Sequence, residues 1–285
     1  MNVALLLALA ICAVAPAEFA RPDSTGPFAV ATFTVDIPRG RGAMNGIVYR
    51  PLPDVSSSGP WPAVVFGHGW LAAASRYDSI CRRLASHGFC VLVPASPDPS
   101  LFSSLAPAAD DMQAAIEFLD SLSRMPDMNI DPRRIALAGH SMGGGAAFLD
   151  AQRDKTGSVK AVIGLAPYRI SEQTHPENLR VPALAIAGSN DRSSPAAGVR
   201  REFFEPCRAP SYFVVVRAGG HNGFLDVTSW IEDRFEPFDR VVQLKATRTI
   251  MTAFLQVYLA DDERYLPWLT DPTLSAGLDV QLERK

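Results

Sequence analysis

Apolar and polar positions alternate along this chain in two different rhythms. Residues 31–35 (Ala-Thr-Phe-Thr-Val) switch at every step, as expected of a half-buried antiparallel strand. The next candidates, 62–67 (PAVVFG), 89–94 (FCVLVP), 134–139 (RIALAG), 160–165 (KAVIGL), 182–188 (PALAIAG) and 212–217 (YFVVVR), are short and apolar on both faces. Such runs suit strands covered from both sides, hence a parallel sheet. Between them Tyr77, Ile80, Cys81 and Leu84 recur at helical spacing, as do Met112, Ala115, Ile116 and Leu119. Ile250, Met251, Phe254, Leu255 and Tyr258 predict a further helix. The alternation predicts an α/β fold, a mostly parallel doubly wound sheet with helices on both faces. Ligands of such sheets gather outside the carboxyl ends of the strands. No repeat or long linker divides the chain, and Ser56-Ser57-Ser58-Gly59 is a hairpin-sized loop. One domain over residues 18–270 is expected, with a loose tail over 271–285 where periodicity fades.

The first residues read differently. Val3 to Ala15 is an unbroken apolar run of thirteen residues, short of the roughly 20 that span a bilayer. Ala15-Pro16-Ala17 offers a small-x-small cleavage site, so residues 1–17 are expected to be a signal peptide and the mature protein to be secreted without a transmembrane span. The run lacks a preceding Lys or Arg, which leaves a retained hydrophobic anchor as the alternative reading. Cys12 follows Ile11 inside the run, a poor lipoprotein acceptor. Export would leave Cys81, Cys90 and Cys207 where disulfides persist. Three is odd, so at least one thiol stays free or pairs with another chain, and a Cys81–Cys90 bridge is open but not demanded. With no C-x-x-C pair, neither a structural zinc site nor another metal is expected. The 285 residues are 47% apolar with 27 Lys+Arg against 30 Asp+Glu, which excludes a disordered chain and gives no basic surplus for nucleic acid.

The chemistry concentrates in the middle third. Gly139-His140-Ser141-Met142-Gly143-Gly144-Gly145 follows an apolar strand and precedes the small-residue helical stretch Ala146 to Ala151. Gly-x-Ser-x-Gly in that setting is the nucleophile-elbow pattern, in which a strained turn lifts the serine hydroxyl clear of the sheet. The competing reading is a tight turn that only packs helix on sheet. A dinucleotide loop would need glycine at Ser141, and no Gly-Lys-Ser/Thr follows, so nucleotide binding is disfavoured. A serine nucleophile needs a base, and imidazole is the side chain that titrates near neutrality. Of five histidines, His68 lies after the first buried strand, His87 suits a helix cap, His140 is locked beside Ser141, and His175 sits in a polar loop. His221 alone follows a buried strand and a Gly-Gly turn late in the chain, making it the candidate base. Asp191, on the loop after strand 182–187, is the candidate acid that orients it, and Asp226 is the rival that more simply anchors its own loop. Two N–H donors should hold the oxyanion: Met142, next to the nucleophile, and Trp70, with Gly69 close behind. The rings of Trp70 and Tyr168 are candidate substrate walls, though either suits ordinary packing equally well. This chemistry calls for no cofactor.

On these residues the chain resembles an α/β-hydrolase-fold serine esterase. Gly26-Pro27-Phe28, Phe33-Thr34-Val35, Val48-Tyr49, Arg83-Leu84-Ala85-Ser86-His87-Gly88-Phe89 and the Ser141 motif are similar to bacterial cutinases and poly(ethylene terephthalate)-degrading polyester hydrolases. Glu202-Phe203-Phe204, Cys207-Arg208, Pro210 and the stretch from Gly220-His221 to Leu225-Asp226 resemble chlorophyllase. The resemblance implies hydrolysis of small-molecule or polymeric carboxylic esters through an acyl-enzyme. A chlorophyllase-like or lipid-ester hydrolase, a thioesterase or acyltransferase, and a catalytically silent binding protein of the same fold are the alternatives.

Overall fold

The computed structural model describes residues 19–53, 59–96, 104–169, 173–208, 210–228 and 238–285. The expected signal peptide and Cys12 lie outside them. Nine strands among the described residues form one sheet: β1 (Val30–Ile37), β2 (Met44–Pro51), β3 (Trp61–Gly67), β4 (Cys90–Pro94), β5 (Ile130–His140), β6 (Val159–Leu165), β7 (Ala183–Gly188), β8 (Ser211–Val216) and β9 (Val280–Arg284). Their spatial order is β1-β2-β4-β3-β5-β6-β7-β8-β9. The six strands from β4 to β8 in that order run parallel, and β1, β2 and β9 join antiparallel at the edges. This is the mostly parallel α/β architecture that the apolar runs predict.

Alternation within each strand sends neighbours to opposite faces, and each face carries its own core. Val64 and Phe66 of β3 pack with Ile80 and Leu84 of α1 (Asp78–Ser86) and with the helical Ile250 and Phe254. Ala63 and Val65, one residue out of phase, pack with Met112 and Leu119 of α2 (Ala106–Ser123) and Phe148 of α3 (Met142–Arg153). Ile250 and Phe254 belong to the C-terminal helix α4 (Arg240–Tyr258), capped by Asp239, whose carboxylate accepts the Val242 N–H. Each large side chain buried this way stabilises the fold by about 1.5–3 kcal/mol.

Three expectations change. The loose tail is not loose: β9 pairs with β8 from Tyr212↔Arg284 to Val216↔Val280, because the unpaired groups along the β8 edge need partners. β2 was not expected as a strand, since Gly46 interrupts its apolar run and its outward positions are mixed. Cys81, Cys90 and Cys207 are free thiols, and the open Cys81–Cys90 bridge does not form. The sheet explains this, for Cys81 packs in one core and Cys90 in the other.

Candidate active site

β5 delivers His140 to the end of the sheet, and the chain reverses at Ser141 before α3 begins at Met142. Ser141 has φ 53° and ψ −115°, a strained conformation for a residue with a side chain. Glycine is required on both sides. A Cβ on Gly139 would lie 2.4 Å from the Gly143 carbonyl, and one on Gly143 would lie 2.2 Å from Gly67 O. The turn is held by neighbours as well: Ser141 N–H donates to Leu165 O at 2.9 Å, and Ser141 O accepts from Tyr168 N–H at 2.9 Å.

The three distant residues meet here. His221 Nε2 lies 3.0 Å from Ser141 Oγ, and His221 Nδ1 lies 2.8 Å from Asp191 Oδ2. The Asp191 side chain is 0% exposed and that of His221 14%, so the carboxylate sits in a dry site beneath a ring that reaches solvent. The second carboxylate oxygen of Asp191 accepts the Ser194 N–H at 2.7 Å. Asn190 N–H donates to Gly219 O at 2.8 Å, which ties the acid's loop to the histidine's. Gln243 of α4 finishes the support. Its carboxamide accepts the Gly220 N–H at 3.0 Å and donates to Gly220 O at 2.8 Å.

Above these groups opens a cavity of about 340 Å³ whose lining includes Trp70, Leu71, Ser141, Tyr168, His221 and Leu225. Trp70 is 37% exposed at its mouth and Leu71 75%. Met142 is buried at the first position of α3, where its backbone N–H belongs to the helix's unpaired N-terminal set. Gly69, the alternative to Trp70 as oxyanion donor, has its N–H taken up by the Tyr77 hydroxyl at 2.9 Å. A serine hydroxyl, an imidazole and a buried carboxylate in one hydrogen-bonded line, facing a cleft, can attack a carbonyl carbon.

A family model described as PET hydrolase-like matches residues 13–284. The chain belongs to that family. It is 30% identical over 190 residues to a bis(hydroxyethyl) terephthalate hydrolase of Streptomyces coelicolor, covering 67% of this chain and 58% of the relative. It is 27% identical over 213 residues to a cutinase of Thermobifida fusca, covering 70% and 67%, and 27% identical over 254 residues to chlorophyllase-2 of Arabidopsis thaliana, covering 75% and 78%. The chain thus spans a little over half the length of the Streptomyces relative. Membership of the PET hydrolase-like family agrees with the α/β-hydrolase fold of the sheet.

The other histidines of this family member are accounted for. His87 caps α1, with its backbone N–H bonded within the last turn and Nε2 3.0 Å from Ser24 O. His175 faces Glu177 at 3.3 Å. His68 and His140 are buried, and loss of solvation holds both imidazoles below their ordinary pKa; for His140 the charge of nearby His221 adds to the effect. Asp226, the rival acid, accepts from the backbone and hydroxyl of Ser79 and so anchors its loop to α1. Among the described residues no His, Cys, Asp and Glu cluster is arranged to hold a metal ion. Sequence reasoning missed Tyr77, Ser194 and Gln243, whose contributions are contacts rather than motifs.

Proposed function

We propose that the chain is a secreted serine hydrolase of carboxylic esters, acting on cutin-like or aromatic polyester bonds. The observation that carries this reading is the continuous contact from Ser141 Oγ through His221 to Asp191, at 3.0 and 2.8 Å. His221 Nε2 takes the proton of Ser141 Oγ as that oxygen bonds to the ester carbonyl carbon. Asp191 stabilises the resulting imidazolium through Nδ1–H. The N–H groups of Met142 and Trp70 hold the carbonyl oxygen as it becomes an oxyanion. Collapse expels the alcohol with the proton from His221, leaving an acyl group on Ser141. Water, deprotonated by the same imidazole, then releases the acid. The exposed apolar rim of Trp70 and Leu71 supports a substrate presented on an apolar surface rather than one swallowed whole.

Export is part of the proposal. It rests on the apolar run Val3 to Ala15 and the Ala15-Pro16-Ala17 site, and no helix among the described residues is long and apolar enough to cross a membrane. The test is hydrolysis of short nitrophenyl esters by the protein and by Ser141→Ala. The variant should lose at least about a thousandfold in rate, and unchanged turnover would refute the assignment. Parallel incubation with polyester film, triacylglycerol and chlorophyll identifies the substrate by its released acid.

A further inference from the structure

Tyr77 has no place in the nucleophile motif, yet its buried hydroxyl touches two of the loops that build the site. It accepts the Gly69 N–H at 2.9 Å and lies 2.9 Å from His140 Nδ1. The amide can only donate, so the hydroxyl oxygen accepts there, and toward Nδ1 the hydroxyl donates or accepts according to the His140 tautomer. Contact is close: a Cβ on Gly69 would stand 2.9 Å from His140 Nδ1 and 3.2 Å from the Tyr77 hydroxyl. Gly69 O accepts from His68 Nδ1 at 2.8 Å and from Ala72 N–H at 3.0 Å. A trans peptide is planar, so a fixed Gly69 carbonyl fixes the direction of the Trp70 N–H on the opposite edge. His140 directly precedes Ser141, and its ring lies 4.8 Å from that of His221.

We infer that Tyr77 is a positioning residue for the oxyanion hole: its hydroxyl sets the Gly69–Trp70 peptide at a fixed distance from Ser141 by joining that loop to the nucleophile turn. The inference rests on the serine-hydrolase reading above. Oxyanion donors act by being in place before charge develops, and a surface loop does not hold a peptide plane unaided. The Gly69–Ala72 turn needs such a tether, since it exposes Leu71 and bends there through φ 55°. Tyr77 supplies it from a rigid position, buried against Phe66 with ring centroids 5.0 Å apart.

Tyr77→Phe removes one oxygen and keeps the ring. On nitrophenyl esters it should lower kcat by about ten- to a hundredfold, less than or equal to deletion of a whole oxyanion donor, with KM unchanged. Affinity for a boronic acid that forms a tetrahedral adduct on Ser141 should fall by the same factor. A folded Tyr77→Phe with kcat within about twofold of wild type overturns the proposal. So does a variant of lower melting temperature whose kcat and boronate affinity are intact. Where Tyr77→Phe does not fold, His140→Phe removes the hydroxyl's partner on the Ser141 turn with similar bulk. The same loss confined to kcat supports the proposal, and full kcat overturns it. Ser141→Ala in the same assay separates the two claims. Retained turnover there defeats the hydrolase reading, whereas a dead Ser141→Ala beside a fully active Tyr77→Phe defeats only the positioning role.

Discussion

Replacing Gln243 by leucine tests how the His221 loop is held. Gln243 is 0% exposed, and its carboxamide accepts the N–H of Gly220, one residue before His221, and donates to Gly220 O, which also accepts the Gly223 N–H at 3.2 Å. Leucine nearly fills the same volume, so the change removes hydrogen bonds with little cavity. It orphans one buried N–H, at about 1–3 kcal/mol, while Gly220 O keeps the Gly223 N–H. Against a domain stability of about 5–15 kcal/mol the variant should fold and be measurably weaker. If the loop instead opens so that water satisfies Gly220, the stability loss shrinks and His221 is displaced from Ser141. A displacement near 1 Å is enough to cost about a hundredfold in rate. Urea unfolding and ester-hydrolysis kinetics on the same preparation capture both routes. Wild-type stability together with wild-type kcat would show that the loop does not depend on this contact.

Three further outcomes are expected. Asp191→Asn should fold, because Ser194 N–H can still find the amide oxygen, yet lose about ten-thousandfold in kcat through the wrong histidine tautomer; steady-state kinetics measure it. Asp150 is buried on α3, and lost solvation raises its carboxyl to about 7. Between its unfolded value near 3.8 and about 7 the folded state binds the extra proton, so stability falls as pH rises through this window; Asp150→Asn should flatten that decline in urea titrations and gain stability at pH 8. Burial pushes the Cys90 thiol up to about 12 and Cys207 to about 11, and Cys81 upward as well. Iodoacetamide at pH 8 should therefore spare all three in the native protein and label them in urea, read by intact mass.

The buried strands and the nucleophile turn were legible because their physics is local. A run such as Ala-Val-Val-Phe at 63–66, short, β-branched and apolar throughout, suits a doubly covered strand, and glycines flanking Ser141 announce a turn without room for Cβ. His221 and Asp191 were legible by chain order, since each leaves the end of an apolar strand, and the structure brings both to Ser141. β2 and β9 were not: Asn45 and Gly46 interrupt the apolar run of β2 between β1 and β4, and the edge strand β9 carries mixed residues and takes its identity from β8. Tyr77 and Gln243 were illegible for a related reason. Each looks like one more position of a helical segment, and its importance lies in a contact outside that segment, with Gly69 or Gly220.

The pairing of β8 with β9 also bears on how the protein is made. β8 ends at Val216, but its outer partner begins only at Val280. During synthesis from the N-terminus, at about 5–20 residues per second, the rim of the nascent sheet stays open for several seconds until β9 emerges. In that interval β8 presents Tyr-Phe-Val-Val-Val to any other unfinished chain, a template for intermolecular strand addition. Yield in a crowded host should thus depend on how fast translation passes from β8 to β9.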